Sequence, residues 1–301
     1  MYEKHQLAVV TGASSGIGRA TARVLAVRGF HVFAGVRREQ DAEQFASGGV
    51  EPVMLDITSP ADVAAIRQRV HNDPLPLGAL VNNAGVAVNA PVEVLPIEEW
   101  RRQFDVNFFG HVAVTQALLP ALLQSGGRVV NISSIGGRVA SPTFGAYAGS
   151  KFALEAMSDA LRREVGRLGV HVIIVEPGTI STPIWSKGLA LAQDLVSGIS
   201  EEHRSRYGDL LVAATRQAEE LERNGIDPSR VAQVIADAIA TRKPRARYLV
   251  GRDANVIARV ARVLPDRMMD RLIARNLGLA NPAPAGAGTR DPQNTSELAV
   301  P

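Results

Sequence analysis

Along the first 250 residues of the chain, apolar runs of strand length alternate with stretches whose apolar positions recur every three to four residues. Residues 7–11 (LAVVT) read as a short buried strand, 12–18 as a glycine-rich turn and 19–28 as an amphipathic helix. Further strands are predicted at 31–36, 53–57, 79–81, 128–132 and 170–175. Between them, 60–70 reads as a helix with Ser59 as N-cap. Residues 97–123 form a long helix in which Pro120 is expected to bend the chain or split off the last turn. Another helix begins near Ala146.

Parallel strands need crossover connections, and helical crossovers bury both faces of a sheet. The alternation therefore predicts an α/β, Rossmann-type doubly wound parallel sheet, with ligands gathered at the carboxyl ends of its strands. The glycine-rich turn, Asp56, Asn83-Ala84-Gly85, Ser134 and Pro177-Gly178 each follow a predicted strand, so they fall on that one edge. Residues 183–225 are amphipathic and helical, an inserted cover for a pocket. A helix is expected over 228–241 and a last strand over 248–251. Residues 254–279 read as a single basic helix, and 281–301, rich in Pro, Gly and Ala, as a disordered tail after a domain of residues 1–280.

Composition narrows the classes. The chain has 301 residues, 46% of them hydrophobic, enough for a sizeable core. A net charge of +3 gives no global field for nucleic acid, and none is expected as a partner. Cysteine is absent, which excludes disulfides, thiolate metal sites and cysteine nucleophiles. The six histidines are scattered without ligand spacing, so no metal is expected. The N-terminus lacks the pattern of a signal peptide, and no run approaches roughly 18 uninterrupted apolar residues, so a soluble, cytoplasmic protein is expected. Residues 242–275 hold ten Lys/Arg against three Asp/Glu. A solvated basic face is the plainer reading, and a contact with an anionic membrane surface or another subunit the sharper one.

Two local patterns carry chemistry. In Gly12-Ala13-Ser14-Ser15-Gly16-Ile17-Gly18, glycines let the backbone approach a ligand, and the following helix presents free N–H groups to a phosphate. Tyr147 and Lys151 are four apart on a predicted helix, so a phenol and an amine share one face. Such a pair can move a proton near neutral pH. Ser134 precedes the tyrosine by thirteen residues; strand alternation points its neighbour Ser133 to the other face.

Together with Asn82-Asn83-Ala84-Gly85, Asn107 and Pro177-Gly178, these motifs make the chain resemble the classical short-chain dehydrogenases/reductases over about residues 5–250. The resemblance implies an oxidoreductase in which Tyr147 is the general acid/base and Lys151 lowers its pKa and holds the nicotinamide ribose. It further implies that Ser134 stabilises the substrate oxygen, and that Asn107 holds a helix kink and a water serving the lysine. Cofactor contacts are implied for Gly12, Ser14, Ser15, Gly16, Ile17, Gly18, Asn83, Ala84, Gly85, Tyr147 and Lys151. Asp56 and Ile57 match the adenine contact, and Pro177, Gly178, Thr179 and Thr182 the loop meeting the carboxamide. The second strand ends in Arg37-Arg38 with no acid, and a guanidinium suits a 2′-phosphate, so NADP(H) is expected with Arg37 as main contact; NAD is the alternative. Ser15 stands where NADP-binding members carry a basic residue.

Within the family the chain looks most like the steroid, retinol and hydroxybutyrate dehydrogenases. That implies an apolar secondary alcohol or ketone such as a steroid, a retinoid or a lipid-derived carbonyl, and a homodimer or homotetramer. A non-catalytic NADP(H)-binding regulator on the same fold is the rival reading; its mark would be loss of Tyr147 or Lys151.

Overall fold

In the computed structural model, which describes residues 6–45 and 49–279, the apolar runs form one parallel sheet of seven strands. These are β1 (Leu7–Val10), β2 (His31–Val36), β3 (Val50–Met54), β4 (Leu77–Asn82), β5 (Arg128–Ile132), β6 (His171–Pro177) and β7 (Arg247–Val250). Their order is β3-β2-β1-β4-β5-β6-β7. The direction of travel reverses at β1, which pairs with β2 on one side and β4 on the other. A crevice opens there at the carboxyl ends of the strands.

The strand alternation explains the two layers. Ala8, Val10, Val32, Ala34, Val81, Val130 and Val175 face α1 (Gly16–Val27) and α8 (Pro228–Ala240). Leu7, Val9, Phe33, Leu80, Val129 and Val172 face α2 (Pro60–Asn72), α4 (Gly110–Ser125) and α5 (Gly145–Val165). With both faces covered, each strand is apolar at successive positions rather than at alternate ones. Ser59 caps α2, its Oγ accepting the Asp62 N–H at 3.3 Å.

Three elements differ from the sequence reading. The third strand runs three residues earlier, because its register against β2 pairs Val32 with Val50 and Val36 with Met54. Pro52 is tolerated because β3 is an edge strand, and Asp56 and Ile57 are left in the loop. The long helix is divided not at Pro120, through which α4 continues, but between α3 (Ile97–Phe104) and α4 by a π-helical turn, Asp105–Phe109. Asn107 lies inside that turn, its side chain bonded outside the helix. The expected basic helix is two, α9 (Arg252–Val263) and α10 (Asp266–Asn276), separated at Leu264-Pro265 because proline cannot continue a helix. The inserted region is α6 (Ile184–Ser197) and α7 (Glu201–Asn224). The tail expected over 281–301 lies outside the described residues.

By length and mean hydropathy (1.4), the stretch Ile97–Ser125 is apolar enough to cross a membrane, a feature not read from the sequence. In the fold its Val114, Leu118 and Leu122 are core residues against the sheet.

The crevice is seamed from within. Thr11 Oγ1 accepts the N–H groups of Asn83 at 2.9 Å and Ala84 at 3.1 Å, and Asn83 Nδ2 donates to the carbonyls of Thr11 and Gly12, both at 3.0 Å. Gly12 has φ +63°, and a Cβ there would lie 2.6 Å from Ala84 Cα. Replacing Thr11 with Val keeps the shape but leaves these N–H groups without their acceptor. Urea unfolding of Thr11→Val is expected to show a loss of about 1–3 kcal/mol.

Candidate active site

Built from the carboxyl ends of the strands, a cleft of about 330 Å³ runs across the crevice. Its floor includes Gly12, Ser14, Ser15, Gly16 and Ile17, which follow β1 and open α1, a helix with no side chain on its N-cap bond. Arg37, Asp56, Ile57, Asn83, Ala84, Gly85, Ser134, Tyr147, Lys151, Pro177, Gly178 and Thr182 also line it. Three of the residues singled out in the sequence do not. Gly18 packs beneath the loop, where a Cβ would lie 2.4 Å from both Asn83 Nδ2 and Gly12 O. Thr179 turns its N–H to Asp253 at 2.6 Å. Asn107 is fully buried behind Gly85; its Oδ1 accepts the Val86 N–H and its Nδ2 donates to Val86 O, both at 2.9 Å, and to Ser150 Oγ at 3.0 Å.

The phenol, the amine and the hydroxyl do converge. Tyr147 and Lys151 project from the first turns of α5, and the Lys151 ammonium lies 5.8 Å from the Tyr147 ring centroid. Lys151 donates to the Ile132 carbonyl at 2.9 Å. Burial lowers its pKa to about 8, against an upward pull from Glu155 one helical turn on. Burial pushes the Tyr147 phenol up from its ordinary value, while a hydrogen bond with Ser134 draws it down. Lys151, expected to lower the phenol, is not among the groups that shift it; the downward pull comes from Ser134 and burial exceeds it. Ser134 caps the short turn Ile135–Gly137, accepting the Gly136 N–H at 3.0 Å. Ser133 lies just past the end of β5, so strand alternation no longer governs it; it too borders the cleft.

The sequence gives no sign of several residues that shape the site. His111, fully buried, bonds the Ala84 carbonyl through Nε2 at 2.8 Å, and burial, with Lys151 nearby, lowers its pKa to about 3, so it is neutral. Trp185 lines the cleft; its indole N–H donates to Ile180 O at 3.0 Å. Its ring is 6.1 Å from Phe144, which does not itself line the cleft and lies 6.3 Å from Tyr147, so the three rings form a chain beside the phenol. Helix α6 closes the far side, docked where Gly188 leaves no room for a Cβ, 2.3 Å from Ala87 O. Arg37 reaches the cleft with no hydrogen bond or ion pair among the described residues, whereas Arg38 is paired with Asp41 at 2.9 Å. Thr143, in the loop before Tyr147, has φ +69°, a strained conformation for a β-branched residue.

Behind the loop that carries Ser134 lies a buried ionic cluster. Glu176 is fully buried and accepts from Arg138 Nε at 2.9 Å; Arg247 reaches Glu155 at 3.0 Å, Asp159 at 3.1 Å and Glu176 at 3.3 Å. Burial above all pushes Glu155 up to about 7, against the pull of Ser133 and Arg247 and with Glu176 adding to the push.

Comparison with known proteins agrees with this geometry. Residues 6–190 match the family model of the short chain dehydrogenases. An NADPH-dependent 3-dehydrocapnine reductase from Ornithobacterium rhinotracheale is 36% identical over 280 residues, covering 90% of this chain and 96% of that protein. Human retinol dehydrogenase 5 is 37% identical over 278 residues, 88% of this chain and 86% of that one. A short chain dehydrogenase from Burkholderia cenocepacia, solved with NADP, superposes with a TM-score of 0.69 at 28% identity, covering 91% of this chain and 98% of that one. The chain belongs to the short chain dehydrogenase family, and it is an oxidoreductase acting on CH–OH groups.

The ionic cluster makes stability depend on pH in a stated direction. A carboxyl raised from its ordinary 4.5 to about 7 binds more protons in the folded state, so its contribution is present at low pH and lost as pH rises through about 7. The stability difference between wild type and Glu155→Gln, from urea unfolding at several pH values, is expected to move in disfavour of wild type between pH 5 and 8.

Proposed function

We propose that the chain transfers a hydride between NADP(H) and an apolar secondary alcohol or ketone, such as a steroid, a retinoid or a lipid-derived carbonyl, with Tyr147 as general acid/base. The observation that carries this reading is the convergence of Ser134, Tyr147 and buried Lys151 at one end of a cleft whose other end is a glycine loop and a helix N-terminus. The residues fit a dinucleotide: Gly12 and Gly16, at left-handed φ values of +63° and +54°, let the loop turn tightly against Ala84 and Thr182, and the N–H groups that open α1 carry no side-chain cap. The bound nicotinamide supplies or accepts the hydride; the protein binds, orients and moves the proton.

Ser134 and Tyr147 hydroxyls present two donors to one carbonyl oxygen, so charge developing there is stabilised as the phenol gives up its proton. In oxidation the phenol takes the proton back. Because burial raises the phenol, its ionised form needs added positive charge close by. Lys151 supplies it as an ammonium below about pH 8, and the oxidised nicotinamide brings another. Asn107 and the π-helical turn hold the 85–86 segment beside the lysine.

Arg37, at the end of β2 and without a hydrogen bond or ion pair among the described residues, supports a 2′-phosphate contact, with Ser14 also lining the cleft. Asp56 is held below the ordinary carboxylate range: hydrogen bonds from Thr58 and the nearby Arg37 charge outweigh burial, so it is ionised and able to accept from an amino group. Ile184, Trp185 and Leu191, which line the cleft, support an apolar substrate. Phe109 and Phe152, exposed along the long helices, support a contact with a second copy of the chain.

Tyr147→Phe is expected to cut turnover of any accepted ketone by at least about a hundredfold, while fluorescence titration shows NADPH binding near that of wild type. Full residual activity would remove the phenol from the mechanism. In parallel, Arg37→Asp is expected to weaken NADPH by roughly ten- to a hundredfold and NADH little; equal loss of both would refute the 2′-phosphate contact.

A further inference from the structure

The loop after β6 enters the cleft with Gly178, Ile180 and Thr182 but turns Thr179 away from it. What holds this turn is a residue 74 positions further along the chain. Asp253, in the first turn of α9, accepts the Thr179 N–H through Oδ2 at 2.6 Å. The same carboxylate occupies the space beside Gly178, where a Cβ would lie 2.3 Å from Oδ1 and 2.4 Å from Oδ2. Gly251, with φ +115°, turns the chain sharply from β7 into α9; a Cβ there would lie 2.4 Å from Asp253 Oδ1. The flanking backbone is also tied: Gly178 N–H donates to Val250 O at 2.9 Å, Ile226 N–H to Thr179 O at 3.1 Å, and Ser181 N–H to Ile226 O at 3.0 Å.

These bonds have different jobs. The Val250 bond extends the ladder between β6 and β7, and the Ile226 bonds form an isolated bridge to the segment before α8. Among the described residues, only the Asp253 bond fixes the peptide between Gly178 and Thr179. That peptide is planar and trans, so pinning its N–H toward α9 turns the Gly178 carbonyl the opposite way. A charged acceptor makes this bond stronger than a neutral one, and a carboxylate in a first helical turn is further favoured by the helix dipole. The carboxylate sits in the room that Gly178 and Gly251 leave by lacking a Cβ.

We propose that Asp253 is a positioning residue for the nicotinamide end of the cofactor site, fixing the Gly178–Thr179 peptide from behind the cleft and making the start of α9 part of the site's support. This rests on the function proposed above. It also gives α9 a role beyond a basic surface: the helix is latched to the loop by a side chain that the sequence pattern does not distinguish from any other first-turn acid.

The test uses the full-length protein with Asp253→Ala, Asp253→Asn, Gly178→Ala and the Gly178→Ala/Asp253→Ala pair. NADPH and 2′,5′-ADP, which lacks the nicotinamide, are titrated separately, and kcat is measured with a ketone that wild type reduces. Asp253→Ala is expected to lower kcat roughly ten- to a hundredfold, as a displaced reacting group does, and to weaken NADPH while leaving 2′,5′-ADP unchanged. Asp253→Asn, which keeps an acceptor oxygen, is expected to recover most of kcat. Gly178→Ala should be harmful alone, yet add little in the Asp253→Ala background because the clash has gone. Wild-type kinetics in Asp253→Ala, equal weakening of NADPH and 2′,5′-ADP, or additive losses in the pair would each overturn the inference. A wild type that binds neither NADPH nor NADH would instead overturn the proposed function, and this inference with it.

Discussion

Lys151 carries an ammonium almost wholly out of water, and much of the surrounding structure answers to that. A buried charge is costly unless it is paired and hydrogen-bonded. The Ile132 carbonyl takes one donor at 2.9 Å, so the end of β5 and the first turns of α5 are fixed relative to each other. Glu155, one turn along, favours the charge but is itself buried and needs partners of its own. These are Arg247 from β7 and, through Glu176 of β6, Arg138 from the loop that follows Ser134. Compensation therefore passes from the lysine through two carboxylates to two arginines, and the second returns to the loop that begins at the serine. The hydroxyl, the phenol and the amine are held together by electrostatics behind them as much as by helix geometry.

The other half of the cleft is set by sheet order. Because the chain reverses direction at β1, the loops after β1 and β4 leave in diverging directions, and Thr11 and Asn83 bridge them. The glycine loop then lies open beneath Arg37 and Asp56, while α6 descends on the other side until Gly188 meets the 87 carbonyl. Both ends of a long, two-ended ligand are thereby addressed by one edge of one sheet. This is why the glycine loop and the Tyr147–Lys151 pair, far apart in the chain, share a single crevice.

Much of this was legible in the sequence because it is local. Strand and helix alternation, the glycine turn and the four-residue spacing of Tyr147 and Lys151 are short-range patterns, and the structure has each in place. The rest depends on groups meeting from distant segments. Asp253, Arg247 and Glu176 look like ordinary surface-type charges until the β6–β7 pairing brings them under the cleft. A kink at Asn107 was implied by the family resemblance and not by the apolar period, which one extra residue in a turn leaves nearly unchanged; in the structure Asn107 lies in a π-helical turn and bonds Val86. Pro52 made residues 50–52 look unlike a strand, although an edge position admits it. The single basic helix expected there is broken at Pro265, a local signal present in the sequence.

The central claim is that hydride and proton move at the Tyr147 end of this cleft. Its most direct measurement is the fate of a label: NADPH carrying deuterium at the transferable C4 position is incubated with the protein and a reducible apolar ketone, and the alcohol is examined by mass spectrometry and NMR. One deuterium on the carbinol carbon for each NADPH consumed, with the hydroxyl proton drawn from solvent, is the result this account predicts. Alcohol formed without deuterium at that carbon, or NADPH bound without reduction of any ketone or oxidation of any alcohol by the oxidised cofactor, would contradict it.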